Sequence, residues 1–265
     1  MASTLSIVLI VFLAASCFAL IILLLGKRSK EQMSLRASQT DHSARDVGNF
    51  YNDQTNNFLK VYGEVIQAFR TTDVTKLLDY QVETIGFEEG QRVLDAGCGV
   101  CGPARYFAKN AGVQVEAITI SEDQVEKAKK YIAEDGLEGK VNVTHGDYHR
   151  LEEYYESDSF DVVYFLESFG HATNHEQVIN SAWGMLKPGG KLYIKDLFIK
   201  EAAIQSLADD IQREVKNIND AYRYNIADLY EILKFVRKKG YILSSVKTID
   251  LPSVSYTHLR AHETQ

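Results

Sequence analysis

The sequence predicts an α/β fold, a doubly wound and mostly parallel Rossmann-like sheet with helices on both faces, and three observations predict it. Short apolar runs alternate with helix-length amphipathic segments from Arg92 to Asp196, the rhythm of β-α-β units. The first run, Val93-Leu-Asp-Ala96, breaks directly into Gly97-Cys-Gly-Val-Cys-Gly102. Such a glycine-rich turn lets the backbone approach a ligand at a strand's carboxyl end and begin a helix there. The third observation is scale: 265 residues, 45% apolar and 25% charged, suffice for one such domain with appendages.

Taken in order, residues 5–25 are almost unbroken apolar sequence, which as a helix would run roughly 30 Å and span a bilayer core. A cleaved signal peptide is the alternative. The run exceeds an ordinary signal core and no Lys or Arg precedes it, which favours a transmembrane anchor over residues 1–28. Lys27, Arg28 and Lys30 follow, and positive charge on that flank places the remaining chain on the cytoplasmic side, at the endoplasmic reticulum in a nucleated cell. Residues 29–46 are polar and without apolar period, so they read as a linker.

From residue 47 to 69 apolar and aromatic side chains recur at spacings of three and four, with Gly63 interrupting; the pattern predicts two short helices. They stand before the glycine turn, where a lid would sit, and Tyr51 and Gln67 are its substrate or lid candidates. A further amphipathic helix is expected over 74–85. Strands follow at 92–96, 113–120, 141–145, 162–167 and 191–196, with helices at 103–110, 124–134 and 176–186 between them. Lys187-Pro-Gly-Gly190 is the turn into the last of these strands. Helices at 202–217 and 228–239 and a strand at 241–249 complete the expected domain, residues 47–253.

Charge and cysteine content narrow the function. A net charge of -7 and a pI near 5.5 argue against a nucleic-acid partner, which calls for a basic face. Three cysteines are too few for a disulfide scaffold. Cys98 and Cys101 form a C-x-x-C, but both lie inside the glycine turn and no second Cys/His pair follows at zinc spacing, so no metal is expected.

Two cofactors fit the turn. A dinucleotide would place its pyrophosphate on the helix N-terminus. S-adenosylmethionine would need a carboxylate for its ammonium, and Asp95, two residues before Gly97, supplies one. Where the second strand ends, a dinucleotide enzyme wants Asp or Glu for the ribose hydroxyls, and this chain has Thr119.

Asp95-Ala-Gly-Cys-Gly-Val-Cys-Gly102, Gly146-Asp147 after the third strand, Phe160-Asp161 opening the fourth, and Leu186-Lys-Pro-Gly-Gly190, in that order, resemble the class I S-adenosylmethionine-dependent methyltransferases. Within them the chain looks similar to the sterol, geranyl-diphosphate and tocopherol methyltransferase group. The resemblance implies S-adenosyl-L-methionine as cofactor, held by Asp95, Ala96, Gly97, Gly99, Gly102, Thr119, Ile120, Gln124, Asp147 and Tyr148. Asp147 would accept from the adenine amino group. Thr119 and Gln124 would take the ribose side, although Ser121-x-x-Gln124 is also a capping box that fixes a helix start without any ligand.

The resemblance further implies that Phe165-Leu-Glu-Ser-Phe-Gly-His171 stands beside the acceptor, with Glu167 and His171 as catalytic candidates and Phe165 and Phe169 facing the substrate. Glu167 holding a backbone amide, and His171 as a satisfied loop histidine, are the alternatives. Sterol C-24 methyltransferases carry a Tyr-Glu-Trp-Gly-Trp-Gly-type motif before the glycine turn, and this chain has Tyr62-Gly-Glu-Val-Ile-Gln-Ala-Phe-Arg70 there. The expected reaction is therefore methylation of a carbon of an isoprenoid or other lipophilic small molecule at a membrane surface. A polar O- or N-acceptor is the alternative, and a nicotinamide-dependent oxidoreductase a more distant one.

Residues 254–264, Val-Ser-Tyr-Thr-His-Leu-Arg-Ala-His-Glu-Thr, resemble the translation of a transposon-type sequencing-library adaptor. They are expected to be a non-native tail over 254–265, so His258 and His262 are not read as ligands. The resemblance then implies a domain incomplete at its carboxyl end, lacking its seventh, antiparallel strand, with a slot between the fifth and sixth strands that is unfilled unless the tail occupies it.

Overall fold

A computed structural model describes residues 42–68, 73–199 and 205–247. Five parallel strands, β1 (Arg92–Ala96), β2 (Gln114–Thr119), β3 (Val141–His145), β4 (Phe160–Leu166) and β5 (Leu186–Lys195), lie in the order β3-β2-β1-β4-β5. The chain winds outward from β1 to β3, returns beside β1 as β4, and so leaves a switch point between β1 and β4, where ligands of open α/β sheets sit. Successive residues of β1 belong to different cores. Val93 packs with Phe107 of helix α3 (Gly102–Asn110) and Ala128 of α4 (Glu122–Glu134), and Leu94 packs with Val178 and Ile179 of α5 (His175–Met185). That alternation, with both faces covered, is why the strands read as apolar runs rather than as in-out patterns.

Before the sheet stand α1 (Ala44–Tyr62) and α2 (Val74–Ile85). A capping box of Ser43 and Asp46 starts α1, three residues inside the expected linker; both partners were visible in the sequence. The second short helix expected up to residue 69 is absent over 64–68. Gly63, at φ 67, closes α1 with its N–H on the Leu59 carbonyl. Beyond it Glu64 and Gln67 are drawn to separate partners on other elements, so consecutive helical turns cannot form.

The expected turn at 187–190 is a bulge within β5. Leu186 pairs with Phe160 and Lys191 with Val162, so the intervening residues loop out of the ladder. After β5 come the pair β6 (Phe198–Ile199) and β7 (Ala227–Asp228), with α6 (Gln205–Tyr222) between them, and then α7 (Leu229–Lys239). The strand expected from 241 is not formed over 241–247. Tyr241 instead donates its N–H to the Val236 carbonyl, finishing α7 past Gly240, and sets its ring edge-on to Trp183 at 4.7 Å. Ile242 beyond it is 92% exposed, and β5 remains an edge of the described sheet. The transmembrane span at 5–25 and the tail at 254–265 lie outside the described residues. Among the described residues no helix is long and apolar enough to cross a membrane.

Candidate active site

A cavity of about 830 Å³, counting the space open at its mouth, lies at the carboxyl ends of β1, β2 and β4 under α1 and segment 64–68. Of the expected cofactor residues, Asp95, Gly97, Gly99, Thr119, Ile120, Gln124, Asp147 and Tyr148 line it, as do Tyr51, Gln67, Glu167 and His171.

Four expected residues do not. Phe165 and Phe169 point into the core between the sheet and α5, their rings edge-on at 5.5 Å. Strand alternation places Phe165 on the face opposite Leu166, and Leu166 is the residue that reaches the cavity. Ala96 is fully buried in the same core. Gly102 serves packing: a Cβ there would stand 2.1 Å from the Glu64 carbonyl oxygen, so glycine is what lets segment 64–68 lie on α3.

The turn itself is tightly built. Gly97 has φ 93, and a Cβ on it would come within 2.4 Å of Ser168 Cβ. Its N–H and that of Cys98 both go to the Ile118 carbonyl, so these two donors hold β2 rather than a ligand. Cys98 and Cys101 are buried free thiols, and burial pushes the Cys98 thiol well up. Asp95 is 2% exposed and its Oδ2 has no hydrogen-bond partner. Burial pushes its carboxyl up to about 7, partly offset by the Tyr164 hydroxyl. A buried carboxylate oxygen left unpartnered in a cavity wall is costly unless a donor arrives.

At the next strand Thr119 donates to Gln124 Oε1 at 2.7 Å, while Ser121 caps α4 and donates to Asn52 of α1 at 2.7 Å. Ser121 caps the helix, but the Gln124 side chain accepts from Thr119 and not from the Ser121 N–H, so the expected capping box is only half formed; Thr119 and Gln124 line the cavity. Asp147 Oδ1 accepts from the His149 backbone N–H at 2.9 Å and from its ring Nδ1 at 2.5 Å. Burial raises the Asp147 carboxyl, but these bonds outweigh it and hold it below the ordinary value. The Thr173 N–H reaches His149 Nε2 at 3.1 Å, which requires the proton on Nδ1. Tyr148 donates to the Ser168 carbonyl at 2.9 Å.

On the other side, His171 Nδ1 lies 3.1 Å from the Arg223 carbonyl and its Nε2 lies 2.8 Å from the Tyr51 hydroxyl. A carbonyl only accepts, so Nδ1 carries the proton and Nε2 accepts from Tyr51. Burial holds His171 down to about 4 and pushes the Tyr51 phenol up. Glu167 pairs with Lys195 Nζ and accepts the Ala68 N–H at 2.6 Å, so its carboxylate does hold a backbone amide.

Sequence reasoning missed Val47, Glu64, Ile66, Leu166, Ser168 and His149 in the wall, and Lys195 behind it. Lys195 had a signal: a lysine ending the apolar run Leu-Tyr-Ile, in register with Leu166, stands one position from the acid that follows β4. Ile66 and Val47 had none, since their apolar spacing equally suits a core. Among the described residues no group of three or more His, Cys, Asp or Glu side chains is placed to hold a metal.

Residues 94–194 match the methyltransferase-domain family. The chain is 33% identical over 175 residues to a sterol 24-C-methyltransferase of Gibberella zeae, covering 62% of this chain and 44% of that protein. It is 30% identical over 171 residues to the methyltransferase GfsG of Streptomyces halstedii, covering 60% of each. The chain thus spans about half the length of these relatives. Among solved structures, the [4+2]-cyclase SpnF superposes with a TM-score of 0.63 at 24% identity, over 76% of this chain and 73% of that one. Geranyl diphosphate C-methyltransferase from Streptomyces coelicolor superposes with 0.57 at 18%, over 71% and 68%. At those identities the likeness is one of fold. The glycine turn, the unpartnered Asp95 oxygen and the switch-point cavity agree with the family match, and residues 94–194 are a methyltransferase domain of the class I S-adenosylmethionine-dependent type, near the sterol methyltransferase group.

Proposed function

We propose that the chain transfers a methyl group from S-adenosyl-L-methionine to a lipophilic small molecule, at a carbon of an isoprenoid or similar lipid, from a membrane surface. The observation that carries the cofactor part is Asp95 Oδ2, a buried acceptor in the cavity with no donor of its own. The cofactor's ammonium is a donor of the right charge. Gly97 and Gly99 allow close approach beside it, Thr119 and Gln124 stand where ribose hydroxyls would lie, and Asp147 retains a lowered carboxyl for an amino group.

When bound, S-adenosylmethionine supplies an electrophilic methyl carbon on a sulfonium. The chain's own part is orientation, exclusion of water and removal of a proton. Val47, Tyr51, Ile66 and Leu166 give the cavity an apolar, aromatic wall suited to a hydrocarbon acceptor. Methylation of an alkene carbon leaves a cation that must lose a proton. The Tyr51 oxygen can take that proton as its own passes to His171 Nε2, which is unprotonated at neutral pH because burial holds it down to about 4. Aromatic faces such as Tyr51 and Tyr148 can stabilise the cation meanwhile. Glu167, engaged with Lys195 and the Ala68 amide, shapes the wall.

The carbon acceptor is supported by the names of relatives, a sterol 24-C-methyltransferase and a geranyl diphosphate C-methyltransferase. The membrane surface rests on the apolar run at 5–25 and its basic flank. The full-length chain, incubated with methyl-labelled S-adenosylmethionine and a total lipid extract, tests both. Label in hydrolysis-resistant neutral lipid is expected. Label confined to water-soluble products overturns the lipid reading in favour of a polar O- or N-acceptor. Thermal stabilisation by NAD but not by S-adenosylhomocysteine overturns methyl transfer altogether.

A further inference from the structure

The cavity wall contains an ion pair that the proposed chemistry does not use. Glu167 follows β4 at φ 56, a left-handed conformation that residues other than glycine adopt only when their surroundings over-determine it. Its N–H donates to the Lys195 carbonyl at 2.7 Å and its carbonyl accepts the Tyr224 hydroxyl at 3.0 Å. Its carboxylate pairs with Lys195 Nζ and accepts the Ala68 N–H at 2.6 Å. Lys195, 7% exposed, also donates to Gln67 Oε1 at 2.8 Å, and the same oxygen accepts Gln81 Nε2 at 2.8 Å. Segment 64–68, α2, β4 and β5 therefore meet in one buried polar cluster.

Segment 64–68 has little structure of its own, with one internal backbone bond from Gln67 N–H to the Val65 carbonyl. It is held from outside at both ends. At its start Glu64 pairs with the buried Arg105 of α3, and at its finish Gln67 and Ala68 are held by Lys195 and Glu167. Glu64, Ile66, Gln67 and Glu167 all line the cavity. A carboxylate and an ammonium this deep are costly singly and tolerable as a hydrogen-bonded pair.

We propose that Lys195 is a positioning residue: its ammonium holds the Glu167 carboxylate and the Gln67 amide together, and through them fixes segment 64–68 as a wall of the cavity. For its functional meaning this rests on the methyl-transfer reading. Without the ammonium, the Glu167 carboxylate is buried beside Asp196, Tyr51 and Tyr224 with less opposing charge. It then gains by turning away toward water, and the Ala68 amide loses its acceptor.

The test is hydrogen exchange of the Ala68 amide, resolved by overlapping peptides of the full-length chain. In Lys195→Met it is expected to speed up by on the order of tenfold, the fold-change for loss of a hydrogen bond to a charged group, while amides of α3 stay as slow as before. Adding Glu167→Gln should restore slow exchange, because the glutamine oxygen still accepts from Ala68 and no unmatched charge remains. Unchanged exchange in Lys195→Met overturns the proposal, and so does a double variant as fast as the single one, which would mean that only side-chain bulk matters. If Lys195→Met fails to fold, Lys195→Gln replaces it with the same expectations. Binding of S-adenosylhomocysteine to the wild-type chain separates the two readings: no binding overturns methyl transfer and leaves the exchange result standing, and binding with unchanged exchange overturns the role of Lys195 alone.

Discussion

At the carboxyl ends of β1 to β3 the cavity leaves hydrogen-bonding capacity open, whereas at the ends of β4 and β5 it is closed on itself. Asp95 keeps an unpartnered carboxylate oxygen in the first region. In the second, Glu167 is engaged by Lys195 and Ala68, and His171 by Tyr51 and Arg223. Burial disfavours charge in both regions. Burial pushes Asp95 up to about 7 against the Tyr164 hydroxyl, and burial holds His171 down to about 4. A region that binds a charged group has to carry the cost of the empty state, while a region that handles a proton can be assembled in advance. On the proposed reading, the open end is the one that would receive the cofactor and the closed end the one that would act on the acceptor.

The largest effect expected from breaking this arrangement is at the boundary of the two regions. Gly97→Ala forces a Cβ onto Ser168 at φ 93, and should lower the unfolding free energy by about 3 kcal/mol or more, read by denaturant titration. Next is Tyr51→Phe, which removes the donor to His171 and should slow methyl transfer by about 100-fold. S-adenosylhomocysteine affinity, read by calorimetry, should stay within about twofold, because the hydroxyl belongs to the second region.

Asp95→Asn should do the reverse, weakening S-adenosylhomocysteine by roughly 30-fold, the value of a hydrogen bond between charged groups. Its pH dependence sharpens the comparison. The folded Asp95 carboxyl sits at about 7 against 3.8 for the free group, so the folded state holds a proton that the unfolded chain has released, and stability falls as pH rises through that window. For His171, at about 4 against 6.5, the unfolded chain binds the extra proton, and stability falls as pH drops through that window. The stability of Asp95→Asn relative to wild type should therefore climb from pH 4 to 8. Ligand affinity of the wild type should rise through pH 7 and that of the variant should stay flat. The smallest expected effect is at Ser121→Ala, where loss of the α4 cap and of the bond to Asn52 should cost about 1 kcal/mol of stability. Ligand affinity should not move, as befits a helix cap beside the site.

Much of this was legible in the chain. The strand–helix alternation predicted the sheet, and helix α2 and strands β1 and β3 stand where the periodicity put them. The motif residues at the ends of β1 and β2 were legible because turn chemistry is local: glycines, an acid before them and a cap after them all act within a few residues. Phe165 and Phe169 were misread because one aromatic residue looks like another until the strand's alternation is anchored to a face. The helix expected at 64–68 and the strand expected at 241–247 failed for a related reason. Side chains of Glu64 and Gln67, and the backbone of Tyr241, are engaged by partners distant in sequence or by a helix end.

What the sequence by itself determined is the winding of the sheet, the glycine turn at its switch point and the carboxylate beside it, since periodicity and local sterics dictate them. Only the tertiary structure decided that Tyr51 meets His171 across 120 residues, and that Glu167 is paired with Lys195 rather than left to face the acceptor. Those contacts depend on which strand lies beside which and how α1 folds back over the sheet. That is a matter of long-range packing, on which a residue's neighbours in the chain carry no information.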